Sequence, residues 1–73
     1  MAQGEHCKQC GELLEQASSA VVEHLRAQSR LDLARCRRET DRLPQLEASV
    51  AELADARVAA VQSYKAHRAS HTL

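Results

Sequence analysis

Apolar residues recur at helical spacing in two long stretches of the chain. The first runs from about Glu12 to Arg38 and can be extended back over the cysteines; Cys7, Cys10, Leu14, Ala17, Val21 and Leu25 then fall on one side at 100° per residue. Leu13, Ala20, Val22 and Leu31 widen that stripe. Beyond Leu25 the pattern loosens. Gln28 and Asp32 take the phase where apolar residues belong, and Leu31, Leu33 and Cys36 spread around the cylinder. That reads as a stripe that rotates, or as a second face covered by a partner. In the second stretch, from about Asp41 to Ala69, Leu43, Leu46, Val50, Leu53, Ala60, Val61 and Tyr64 share a face interrupted by Arg57. His67 and His71 continue it. Its other sides are rich in alanine, which lets helices approach closely and is also the strongest helix former.

Between the stretches lies Thr40-Asp41-Arg42-Leu43-Pro44. Thr40 and Asp41 are good N-cap residues, since a short side-chain oxygen can accept a hydrogen bond from an otherwise unpaired N–H. Pro44 lacks an N–H and is tolerated in a helix's first turn, where that donor has no partner anyway. A second helix starting there explains both signals. A short connection between helices favours antiparallel neighbours. The expectation is one domain over residues 1–73: helix one about 10–38, turn about 39–42, helix two about 42–69. Met1 to Glu5 has no periodicity and reads as a loose lead.

Composition narrows the class. The 73 residues include no Trp, Phe, Ile or Asn and a single Tyr, and the apolar residues are mostly Ala, Leu and Val; Ala and Leu are strong helix formers, whereas strands favour aromatic and β-branched residues. The class is all-α. A lone two-helix hairpin of Ala, Leu and Val has a thin core, so it calls for a second copy, a partner helix or a metal. The expected architecture is an antiparallel hairpin that dimerises into a four-helix bundle. Net charge is zero, which removes any global pull toward nucleic acid or membrane. No apolar run is long enough to span a bilayer and no signal-peptide core is present. Three cysteines, an odd number, argue against a complete disulfide framework and for a reducing, cytoplasmic setting. Acidic residues early in each helix and Arg35, Arg37, Arg38, Lys65 and Arg68 late complement the helix dipoles.

Specific chemistry is confined to the chain's extremities. Cys7-Lys8-Gln9-Cys10-Gly11 has the C-x-x-C-G form, in which two thiolates reach one ion and glycine permits a tight turn. Over those five residues it resembles the knuckles of zinc ribbons and treble clefs. His67 and His71, four apart, share one helix face and can chelate a single ion. With the turn near residue 40, Cys10 faces about residue 70 and Cys7 about residue 73. Cys7, Cys10, His67 and His71 would then form a tetrahedral Cys2His2 zinc site. With four protein ligands and no open position, it would be structural. The plainer alternative makes the cysteines small apolar residues at a helix start and the histidines solvated tail residues. His6 could replace one histidine as ligand, His24 reads as an interface residue, and Cys36 as a buried or free thiol away from the others.

The function these features predict is a non-enzymatic helical interaction module, self-associating or docking a partner helix. No Ser-His-Asp pattern, phosphate-binding glycine loop or paired-carboxylate site is present, and no small-molecule substrate is implied. Two alternatives use other residues. Arg26, Arg30, Arg35, Arg37, Arg38 and Arg42 cluster toward the turn and could contact nucleic acid, although acidic residues interrupt them and no aromatic side chain is near to stack bases. Cys7 and Cys10 could form a thiol redox pair, but no βαβ pattern accompanies them.

Overall fold

The computed structural model describes residues 7–71. Two α-helices, α1 (Lys8–Cys36) and α2 (Leu43–Ser70), pack against each other and are joined by a short 3-10 turn, Thr40–Arg42. The chain doubles back once, making an antiparallel hairpin 56 × 16 × 12 Å in extent. Met1–Glu5 and His6 lie outside the described residues.

The seam between the helices follows a 3.5-residue repeat. On α1 the residues turned inward are Cys10, Leu13, Ala17, Ala20, His24, Ala27, Leu31 and Ala34, spaced alternately three and four apart. On α2 they are Leu43, Leu46, Val50, Leu53, Arg57, Ala60, Tyr64 and His67, with His71 continuing the series. This is the spacing that keeps a coiled-coil seam facing its partner. It corrects the stripe expected on α1: Leu14 is 47% and Leu25 54% exposed, outside the seam. The weakening beyond Leu25 disappears at the 3.5 period, because Ala27, Leu31 and Ala34 fill those positions and all three are buried.

The seam pairs small with large. α1 supplies Ala17, Ala20, Ala27 and Ala34 beside Leu13 and Leu31, and α2 supplies mostly larger residues, Leu43, Leu46, Val50, Leu53 and Tyr64. The buried residues Ala17, Ala27, Leu31 and Ala34 therefore all belong to α1, whereas the large seam residues of α2 remain half-buried at the edges.

The turn obeys different chemistry from that expected. Thr40 and Asp41 make no side-chain cap. Instead α1 ends in a Schellman motif. Glu39 N–H donates to Ala34 C=O at 2.9 Å and Arg38 N–H to Arg35 C=O at 3.1 Å, with Arg38 left-handed at φ 58°. Pro44 sits in the first turn of α2, where its missing N–H costs nothing. Arg35 then bridges the helices to Glu47 at 3.3 Å, and it also lies 3.8 Å from Asp32. Neither α-helix carries an acidic residue in its first turn; Asp41 stands in the 3-10 turn ahead of α2.

Candidate metal centre

The open end of the hairpin brings four chemical groups together. Cys7 is the N-cap of α1 and Cys10 lies one turn inside it, so both thiols face α2. His67 and His71 stand at the last seam positions of α2, four residues apart and therefore stacked on one face. One ligand atom from each of Cys7, Cys10, His67 and His71 lies within 4.8 Å of all the others, and the group can hold a metal ion.

Three of the separations can be set against the edges of a tetrahedral site. Cys7 Sγ is 3.3 Å from His67 Nε2, Cys10 Sγ is 3.7 Å from His71 Nε2, and the two Nε2 atoms are 3.2 Å apart. Zinc bonds of about 2.3 Å to sulfur and 2.0–2.1 Å to nitrogen imply edges of about 3.6 Å for S···N and about 3.3 Å for N···N. The observed separations match both. Cys10 meets His71, close to the level expected from the turn, whereas Cys7 meets His67 instead of a residue near 73. Cys7 stands outside the helix in extended backbone, φ −65° and ψ 117°, so helical spacing does not project its position.

The thiols are electrostatically unequal. Hydrogen bonding from His67, helped by the Cys10 backbone N–H, lowers the Cys7 thiol from 9.0 to about 7. Partial burial raises the Cys10 thiol, and its hydrogen bond and charge interaction with Cys7 add to that; Arg68 acts in the opposite direction. Arg68 is itself held over Tyr64, donating to its hydroxyl at 2.9 Å.

Gly11 does not play the part a zinc knuckle gives it. It lies inside α1, its N–H donates to Cys7 C=O at 3.2 Å, and its φ is not positive. A Cβ built there would meet nothing within 4 Å. The C-x-x-C unit thus rides on a helix start, and the likeness to zinc ribbons and treble clefs ends at the spacing of the cysteines.

The remaining candidates fall elsewhere. Cys36 is exposed at the turn end, and His6 lies outside the described residues. His24 is in the seam, where Arg57 Nη1 donates to its Nδ1 at 3.1 Å. This polar pair was readable in advance. The cation that breaks the apolar face of α2 stands opposite the one imidazole in the α1 stripe. Of the turn-end arginines, Arg26 pairs with Glu23, Arg35 with Asp32 and Glu47, and Arg42 with Glu39. That leaves Arg30, Arg37 and Arg38 without an ion pair among the described residues. No described helix is long and apolar enough to cross a membrane.

An all-helical hairpin carrying a Cys2His2 group is the class that fold and site define. No protein-family model matches the chain, and no curated protein or solved structure matches it either.

Proposed function

We propose that the chain is a small non-enzymatic helical interaction module whose open end is stapled by a structural zinc ion on Cys7, Cys10, His67 and His71. The observation that carries this is the convergence of two thiols and two imidazoles within 4.8 Å, contributed by residues some sixty apart in sequence. A tetrahedral set of two sulfurs and two nitrogens suits zinc better than the oxygen-seeking cations. Four protein ligands leave no position for substrate, so the ion works by holding the helices together. The hairpin needs that help, because its seam buries so few residues. Large apolar side chains left exposed, among them Leu14, Leu25 and Val58, supply the surface for a second copy or a partner helix. Free thiols at Cys7, Cys10 and Cys36 fit a reducing compartment.

The test is metal titration of the reduced, metal-free chain. Cobalt(II) is expected to bind one per chain with the visible absorption of a tetrahedral sulfur–nitrogen site, and zinc to displace it. Cys10→Ser is expected to abolish that spectrum. Octahedral cobalt absorption, or no saturable binding, would overturn the reading.

A further inference from the structure

The two flanks of the hairpin differ in a way the seam does not require. One flank presents Leu14, Val21 and Leu25 from α1 beside Val58 and Val61 from α2. Leu14, Leu25 and Val58 are each about half exposed, and Val21, Val58 and Val61 line a shallow groove between the helices. Arg57 also borders that groove, but its guanidinium is turned onto His24. The opposite flank, at the same levels, carries Glu23, Arg26 and Glu52.

Charges bracket the apolar flank, and their arrangement is self-complementary. Toward the turn stand Asp32 and Glu47, two carboxylates that share the single guanidinium of Arg35. Toward the open end stand Lys65 and Arg68, neither with a carboxylate partner among the described residues. Asp32 lies seven residues past Leu25, and Lys65 lies seven residues past Val58. Because the helices are antiparallel, those two steps run in opposite directions from one shared level. Glu47 and Arg68 are likewise eleven and ten residues from Val58, on either side.

We infer that this flank is the docking face for a second copy of the chain, laid antiparallel across a two-fold axis at the level of Leu25 and Val58. Two-fold symmetry demands a patch complementary to itself, and an excess of negative charge at one end with positive charge at the other meets that demand only when the copies run in opposite directions. Leu25 and Val58 then meet their own counterparts at the centre. Glu47 of each copy meets Arg68 of the other, and Asp32 comes alongside Lys65. A parallel arrangement sets like charges together. The two metal ends lie at opposite poles of the resulting four-helix bundle. The inference rests on the reading of the chain as a self-associating module and not on the metal staple.

The experiment mixes unlabelled and nitrogen-15-labelled full-length, zinc-supplemented chain, measures mass in solution, and treats the dimer with a zero-length carbodiimide cross-linker. Expected are a dimer and isotopically mixed cross-links from Lys65 to Glu47 or Asp32. Within one hairpin Lys65 and Glu47 stand about 27 Å apart along α2, at 1.5 Å per residue, so such a link cannot form inside a single chain. Leu25→Glu with Val58→Glu is expected to weaken the dimer about 100-fold or more while helicity and metal stoichiometry persist. Leu33→Glu, on the opposite flank, is expected to leave the mass unchanged. A monomer at high micromolar concentration, or a dimer without these cross-links, overturns the inference. Mixed cross-links in a chain that takes up no metal would uphold this interface and remove the staple.

Discussion

The two ends of the hairpin are closed by unlike means. At the turn, chain continuity does the work: a Schellman motif reverses the backbone and Arg35–Glu47 ties the first pair of levels across the seam. At the open end no covalent link exists, and Cys7, Cys10, His67 and His71 occupy the place a loop would fill. A closed loop constrains its neighbours in every state of the chain. A ligand cluster constrains them only while an ion is bound and the thiols are reduced. The hairpin should therefore be stiff at one end and conditional at the other.

The largest expected effect separates these two closures. Chelation of zinc, or His67→Ala, is expected to destabilise the hairpin by several kcal/mol, a share of the ~10 kcal/mol that zinc supplies to small metal-dependent folds. Urea melts followed by circular dichroism check it. Chelator should move the parent chain and leave His67→Ala where it is. If both melt alike in zinc and in chelator, the open end is held by packing alone and the contrast collapses.

The layer midway between the ends gives the next effect. Arg57→Ala leaves half-buried His24 without its donor and is expected to cost ~1 kcal/mol. Replacing both His24 and Arg57 by Leu is expected to stabilise by ~1–3 kcal/mol, since apolar packing commonly outperforms a polar pair in such a seam. The double variant should also lose its fixed alignment, because a polar layer specifies register. Equilibrium melts give the energies, and broadened amide signals in NMR report the loss of a single alignment.

The smallest effects come from one backbone position at each end. Arg38→Gly removes the strain of a left-handed arginine and is expected to add ~1 kcal/mol. Gly11→Ala replaces a glycine inside α1 with open space around it and is expected to add ~0.5–1 kcal/mol without changing metal affinity. Thermal melts with a parallel metal titration check both. A large loss of affinity in Gly11→Ala would restore the knuckle role that the helical backbone denies to this residue.

How much was legible in the residues follows the same divide between large and small side chains. α2 could be read almost directly, because leucine, valine and tyrosine mark its seam as far as His67; only Val61, counted on that face, stands on the flank groove, and Arg57, counted as a break, belongs to the seam. α1 could not. Its seam is built from Ala17, Ala20, Ala27 and Ala34, and alanine carries little periodic signal. Leu14 and Leu25 therefore drew the predicted stripe onto the wrong flank, and counting 3.6 instead of 3.5 residues per turn let the phase drift beyond Leu25. Pro44 marked the start of α2 correctly. Thr40 and Asp41 pointed to a cap that does not form, because the reversal is made by backbone hydrogen bonds around Arg38, which no side chain announces. The meeting of Cys7 and Cys10 with His67 and His71 followed from doubling the chain back near residue 40. Which thiol meets which ring did not, because Cys7 stands just outside the helix.

The alanine seam makes the molecule a pair of calipers. Its arms pivot at Arg38 and close on a point more than twenty residues away, so any spreading near the pivot is multiplied at the tips. Added bulk at Ala34, buried beside the hinge, would pull sulfur from nitrogen further than the same bulk at Ala17. The residues with the least to show in a composition thus set the tolerance to which the jaws must meet.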